Sequence, residues 1–148
     1  MALPAFDHLD LVVSDRACSL EFYTAVLAPL GFNRQRDITG EQGEPVTYLS
    51  RTGERGAISL RESHDGREQQ PFDRYDLGVH HICFAAPDRG IVDRVHEVAV
   101  AAGAEIESEP REYDYTPGYY AVFFRDPDGI KLEVLHRPWP VQHDPSSP

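Results

Sequence analysis

Alternating apolar and polar residues predict short strands along most of this chain, and apolar residues at helical spacing predict two helices. The first predicted strand is FDHLDLVV, residues 6–13. A helix should follow, with Ser14 or Asp15 as its N-cap and a stop at Pro29 or Gly31. Turns that contain glycine separate three further predicted strands, near residues 32–38, 46–51 and 57–62.

The same order of elements recurs after a polar stretch. VHHICFAA, residues 79–86, predicts a strand, and the next nineteen residues carry a helical apolar pattern. Three more strands are expected near residues 104–110, 119–124 and 130–136. The sequence therefore predicts a first module at 1–65, a linker at 66–78, a second module at 79–137 and a flexible tail at 138–148.

A matched spacing supports this internal repeat. HLDLVVSD runs from His8 to the capping residue Asp15, and HICFAAPD runs from His81 to Asp88, so both pairs are seven positions apart. His81 is therefore the counterpart of His8. Strand neighbours point to opposite faces, so we expect His80 to point away from the face that carries His81.

The predicted strands each have one apolar face and one face with polar residues. Ile58 and Leu60 should pack on the helix, which leaves Ser59 and Arg61 on the same side as His8 and Asp10. In the same way, packing of the residues on either side of Glu133 leaves that carboxylate on the side of His81 and Cys83. Two imidazoles and a carboxylate leave open positions on a divalent metal, so His8, His81 and Glu133 are the candidate ligands.

Composition narrows the classes of function. The chain has 148 residues, a net charge of −11 and two cysteines. That length suits one domain, and the negative charge disfavours nucleic acid and anionic membranes as partners. No apolar run approaches the ~18–20 residues of a membrane span. We expect a cytoplasmic protein in which Cys18 and Cys83 are reduced core thiols.

The stretches DHLDLVVSD, SLEFYTAVLAPLGF, HHICFAAPD and DPDGIKLEV resemble the vicinal oxygen chelate superfamily. That family includes glyoxalase I, extradiol dioxygenases, fosfomycin resistance enzymes and bleomycin resistance proteins. The resemblance implies an α+β fold in which two tandem βαβββ modules form curled mixed sheets around a central metal cavity. It also implies one divalent ion (Fe, Zn, Mn or Ni) bound by His8, His81 and Glu133, and a homodimer.

The sequence departs from the glyoxalases of that family at one position. The resemblance implies a further metal-linked Glu in the last strand of the first module, where this chain has Ser59. A serine is a poor base at pH 7, so lactoylglutathione lyase activity is not expected. A dioxygenase and another lyase or isomerase stay open, and a non-catalytic binder of the bleomycin-binding type is the alternative class.

Other residues are candidates for contact with a small-molecule substrate. The loop YDYTPGYY, residues 113–120, offers Tyr115 and Tyr120 as acids or hydrogen-bond donors, or as simple cover for the cavity edge. Arg61 could bind a substrate carboxylate or pair with Asp10 or a nearby Glu. The remaining candidates for lining the substrate cavity are Asp10, Ser59 and Cys83.

Overall fold

The computed structural model describes residues 6–64 and 71–138. Its first module contains five main elements, joined in the predicted order. They are β1 His8–Val13, α1 Arg16–Leu27 with a short 3-10 turn at Ala28–Leu30, β2 Phe32–Thr39, β3 Pro45–Arg51 and β4 Ala57–Glu62. The strand order in the sheet is β1-β4-β3-β2, with β1 parallel to β4 and the other pairs antiparallel.

The second module repeats this arrangement. Its elements are β5 Ile82–Ala85, α2 Arg89–Ala101, β6 Glu105–Glu112, β7 Tyr120–Arg125 and β8 Lys131–His136. The strand order is β5-β8-β7-β6, again with the first and last strands of the module parallel. The predicted α+β fold of two βαβββ units is confirmed.

Equivalent caps explain why both helices begin where they do. The Asp15 side chain accepts a hydrogen bond from the Cys18 backbone N–H, and Asp88 accepts one from Ile91, both at 2.9 Å. Each bond satisfies an N–H that the first turn would otherwise leave without a partner. The seven-residue spacing from each histidine thus corresponds to one strand followed by one cap.

A single apolar core joins the two modules through the helix-facing sides of their sheets. It includes Leu60 and Val26 from the first module and Val95 and Leu132 from the second, all fully buried. Two polar contacts cross between the modules as well: the Tyr23 hydroxyl donates to Asp126 at 2.7 Å, and the Ser14 N–H donates to Asp128 at 3.0 Å. The sheet faces that carry the candidate site lie opposite this core.

Two expectations from the sequence need correction or fall outside the structure. Cys18 and Cys83 are free thiols, as expected, but both are exposed rather than in the core. Cys83 is exposed because it alternates with Ile82 and Phe84, which pack against the core instead. Residues 66–70 of the predicted linker, and the predicted tail from 139 onward, lie outside the described residues. Within the described ranges, no helix is long and apolar enough to cross a membrane.

Candidate metal and substrate site

The second module has a cavity of about 400 Å³ beside His81. We call it the His81 cavity. It is lined by residues that immediately precede β5, by β6, β7 and β8, and by the loop before β7, including His81, Glu133, Tyr113, Tyr115 and Tyr119. It thus collects an imidazole, a carboxylate and several phenols on one surface.

Glu133 is the centre of this group. Its side chain is 2% exposed, one oxygen lies 3.2 Å from His81 Nε2, and the other accepts a hydrogen bond from the Tyr119 hydroxyl. Loss of solvent, together with the bond to the carboxylate, raises the pKa of Tyr119 above its usual value. Although the Cys83 residue is exposed, its thiol lies against Glu133, and the partial desolvation of the thiol together with the Glu133 charge raises its pKa to about 12, so it is protonated at neutral pH.

His80 does not point away from His81, so the prediction of opposite faces was wrong. The two Nδ1 atoms lie 2.9 Å apart, and both rings line the His81 cavity. The physical reason is that β5 begins only at Ile82. Both histidines precede the strand, where the alternation of faces does not apply. Loss of solvent, and then the neighbouring His81, lower the pKa of His80.

The tyrosine loop contributes to the cavity through Tyr115, as expected, and through Tyr119 in place of Tyr120. Tyr115 lines it and stacks on Tyr113, with ring centroids 5.4 Å apart. Tyr120 instead donates its hydroxyl to Asp93 of α2 at 2.7 Å, so its predicted catalytic role needs correction. Tyr120 is the first residue of β7 and faces the helix, which leaves the preceding Tyr119 to reach Glu133.

A second cavity, of about 460 Å³, lies on the first module, and we call it the His8 cavity. Its lining includes His8, Tyr48, Arg34 and Arg36, and it has no lining residue in common with the His81 cavity. His8 Nδ1 lies 2.9 Å from an Asp7 carboxylate oxygen, and its ring meets the edge of Tyr48 at 5.6 Å.

Strand register places Ser59 at the position equivalent to Glu133. Ser59 pairs with Asp10 on β1, as Glu133 pairs with Cys83 on β5. The Ser59 side chain is fully buried, and its hydroxyl oxygen has no hydrogen-bond partner in the part of the chain that the structure describes. The first module therefore has a buried polar atom, but no carboxylate, where the second has its acid.

Arg61 lies at the other end of this face and is held by two acids. It donates to Asp10 at 3.0 Å and to Glu44 at 2.8 Å. Of the two roles considered for Arg61, the structure contains the ion pair with Asp10 and a nearby Glu. Asp10 is engaged by the same contact.

The structure brings together two of the three candidate ligands within one copy. His81 and Glu133 are in contact, whereas His8 lies in the other cavity. Across residues 6–64 and 71–138, no three His, Cys, Asp or Glu side chains are grouped closely enough to hold a metal ion. The predicted set of His8, His81 and Glu133 stays a prediction, and it requires the two kinds of cavity to face each other.

Comparison with known proteins bears on the family. The model of the Glyoxalase/Bleomycin resistance protein/Dioxygenase superfamily matches residues 5–134. The uncharacterized protein YqjT of Bacillus subtilis (strain 168) is 27% identical over 129 residues, which cover 86% of this chain and 95% of that protein.

Solved structures show the same architecture. A glyoxalase/bleomycin resistance protein from Albidiferax ferrireducens T118 superposes with a TM-score of 0.67 at 26% identity, over 91% of this chain and all of that one. A lactoylglutathione lyase from Agrobacterium tumefaciens gives a TM-score of 0.57 at 19% identity, over 92% and 96% of the two chains, a likeness that concerns the fold alone. The family match, the repeated modules and the paired sheets agree, and the chain belongs to the Glyoxalase/Bleomycin resistance protein/Dioxygenase superfamily.

Proposed function

We propose that this protein is a metal-dependent enzyme that acts on a small substrate with adjacent oxygen atoms. The observation that carries the proposal is the burial of Glu133. A buried carboxylate is costly unless a cation or several donors compensate it. Among the described residues, its polar partners are a histidine, a tyrosine and a thiol, and it makes no ion pair with Lys or Arg. Arg111 and Lys131 line the same cavity, and a divalent ion between Glu133 and His81 would place a positive charge in direct contact with the carboxylate.

His81 and Glu133 suit such an ion as two of the three protein ligands that it needs. Imidazole nitrogen and carboxylate oxygen are ligands that Zn, Fe, Mn and Ni accept, and His81 Nε2 already faces Glu133. A third ligand is needed for stable binding, and His8 is the repeat-equivalent candidate. Because His8 lines a separate cavity of the same copy, we infer that the His8 cavity of a second copy faces the His81 cavity in a homodimer.

The side chains around Glu133 have roles that do not depend on the identity of the metal. When bound, a divalent ion would act as a Lewis acid toward the substrate oxygens. Tyr119 holds one Glu133 oxygen by its hydrogen bond and so orients the other toward His81. Tyr113 and Tyr115 form a stacked aromatic wall that can exclude water from a bound substrate.

Ser59 bears on the class of reaction. A glyoxalase-type isomerisation needs a base that moves a proton between neighbouring carbon atoms, and the uncharged Ser59 hydroxyl is a poor base. The carboxylate beside it, Asp10, is held by Arg61. A dioxygenase, which uses the two-histidine, one-carboxylate set, is therefore favoured over a glyoxalase-type proton transfer.

Elemental analysis tests the proposal. Protein purified without chelators or a metal-affinity tag should contain a divalent metal near one per chain. His81→Ala should lose that metal, whereas His96→Ala, a histidine replacement on α2, should keep it. Wild type without stoichiometric metal, or with metal that His81→Ala retains, would contradict the proposal. A screen of catechols and 2-oxoaldehyde adducts with the metal-loaded protein then separates the two reaction classes.

A non-catalytic binder is the second candidate function, and the net charge of −11 is the observation that favours it. An acidic protein attracts a cationic ligand. Such a binder has no need of a metal at Glu133. Saturable binding of bleomycin by metal-free protein, with no turnover when metal is added, would support this second candidate over the enzyme.

A further inference from the structure

Two arginines of the edge strand β2 face into the His8 cavity. Arg34 pairs with Ser50 and Arg36 pairs with Tyr48 across the β2–β3 ladder, and all four residues line that cavity. Paired residues of an antiparallel ladder share a face. Gln35 pairs instead with the buried Leu49, which belongs to the core side of the sheet. The two guanidinium groups therefore lie on the same surface as His8.

Neither guanidinium has a hydrogen-bond or ion-pair partner within the described parts of the chain. This is unexpected in a protein of net charge −11, where acids are plentiful. Arg61, on the same face, is engaged by two carboxylates. The Cα atoms of residues two apart on a strand are separated by about 7 Å, so two unpaired cations repel each other there. An anion between them would relieve that repulsion.

The strand register gives the distance between the arginines and the proposed metal ligands. One row of paired residues runs from His8 through Ala57 and Ser50 to Arg34. Three strand spacings of about 4.8 Å separate its ends, or about 14 Å measured along the sheet. The parallel row runs from Asp10 through Ser59 and Tyr48 to Arg36. A molecule held near His8 could therefore reach the arginines only if it extends across the sheet.

We propose that Arg34 and Arg36 bind an anionic group of the substrate, a carboxylate or a phosphoryl group, at the far end of the His8 cavity. The proposal rests on the proposed function, because it assigns the substrate of the same site. Arginine stays protonated at any working pH and matches the two oxygens of such a group. The substrate class is thus an elongated anion that extends across the sheet from His8 to β2.

Anion binding by chelator-treated, metal-free protein tests this assignment without relying on catalysis. Succinate and inorganic phosphate are titrated separately, and backbone amide shifts are followed by ¹H–¹⁵N NMR. We expect saturable shifts at Arg34, Arg36 and Tyr48. The β2 double variant, Arg34→Gln with Arg36→Gln, should raise the dissociation constant about tenfold or more. The anion that binds more tightly to wild type identifies the carboxylate or the phosphoryl group.

A matched double variant controls for net charge. Arg89→Gln with Arg94→Gln removes two positive charges from α2, where both arginines pair with acids, and should change the constant less than about twofold. An equal rise of the anion's dissociation constant in both double variants, or the absence of saturable shifts at the β2 amides of wild type, would overturn the proposal.

Separate variants test the proposed metal site and the proposed anion subsite. The anion titration of the β2 double variant decides the anion subsite, and the metal content of His81→Ala decides the metal site. If this variant keeps its metal while the β2 variants lose the anion, the metal site is wrong and the anion subsite holds. If His81→Ala loses its metal but the β2 double variant binds the anion with an unchanged dissociation constant, the metal site holds and the anion subsite is wrong.

Discussion

Tyr23→Phe should destabilise the protein in a way that depends strongly on pH. Tyr23 is fully buried, and its hydroxyl donates to Asp126, which is 5% exposed. Burial raises the pKa of Asp126 to about 6, against the bonds from Tyr23 and the Ile130 N–H that lower it. The aromatic ring of the variant can still pack against Phe22. The substitution therefore removes one hydrogen bond to a buried charge.

The magnitude follows from the ionisation state of Asp126. At pH 8 the carboxyl is ionised, and a hydrogen bond to a charged group contributes about 1.5–3 kcal/mol. A loss of about 2 kcal/mol for the charged form against about 1 kcal/mol for the neutral form corresponds to a rise of about 0.7 units in the Asp126 pKa. At pH 5 wild-type Asp126 is mostly protonated, so only a neutral bond of about 1 kcal/mol is lost. The destabilisation should thus be about 1 kcal/mol larger at pH 8 than at pH 5.

Urea denaturation of wild type and Tyr23→Phe at pH 5 and pH 8 provides the measurement. Tyr120→Phe is the matched control, because its hydroxyl donates to Asp93 at the exposed surface of α2, where a loss under about 0.5 kcal/mol is expected at both pH values. A Tyr23→Phe effect that is the same at both pH values, or no larger than that of the control, would refute the reasoning.

Three further predictions address other buried or paired groups. Because the folded-state pKa of Asp126 lies above its unfolded value of 3.8, ionisation opposes folding, and this group should remove about 2.4 kcal/mol of unfolding free energy as pH rises from 4 to 7. Asp126→Asn should flatten that part of the pH–stability curve, and an unchanged slope would contradict the assignment. Ser59→Ala should leave the free energy of unfolding unchanged or raise it by about 1 kcal/mol, since it removes a buried hydroxyl that has no partner among the described residues. Thr47→Val should instead lower it by about 1–3 kcal/mol, because the Thr47 hydroxyl accepts a hydrogen bond from Arg16 and donates one to Asp37. Similar urea midpoints for the two variants would count against this contrast. Hydrogen bonds, first from Arg74 and then from Arg125 and Lys131, lower the pKa of Glu107 to about 2, so the stability that this carboxylate provides should be complete above pH 4.5 and lost as pH falls toward 2. Glu107→Gln should have a lower urea midpoint than wild type at pH 7. A difference between the two midpoints that does not narrow by pH 3 would exclude this role.

Much of the fold could be predicted because each level of the pattern agreed with the others. The burial of Leu132 and Val134 follows from strand alternation, and with it the placement of Glu133 on the opposite face. The seven-residue spacing from His8 to Asp15 and from His81 to Asp88 located both caps. These relations are local or come from repetition, so a single sequence contains them.

The candidate site was less predictable, for two physical reasons. Face alternation holds only inside a strand, and β5 begins later than the apolar pattern suggested, which misplaced His80. Alternation along β7 places Tyr120 on the same side as the core residues Val122 and Phe124. This leaves Tyr119 to reach Glu133. The second reason is that a repeat pattern says nothing of how two modules sit against each other. The separation of His8 from His81 depends on that packing.

Arg34 and Arg36 illustrate a signal that the sequence did contain. Two arginines at alternate positions of a predicted strand share a face, whatever the fold. What the sequence could not show is that no acid of residues 6–64 and 71–138 pairs with them, because Asp10 and Glu44 could have paired with either arginine rather than with Arg61. Only the register of the four strands resolves that choice.

Subunit mixing tests most directly the central claim that a metal centre forms from His81 and Glu133 of one copy and His8 of another. His8→Ala and His81→Ala proteins should each lack metal when pure. In a two-fold dimer that mixes both variants, one site has neither histidine and the other has both. After the proteins are unfolded together and refolded at equal amounts, half the dimers are mixed, so about a quarter of the wild-type metal content should return. No recovery in a sample shown to contain mixed dimers would contradict the shared centre, as would full metal content in His8→Ala alone.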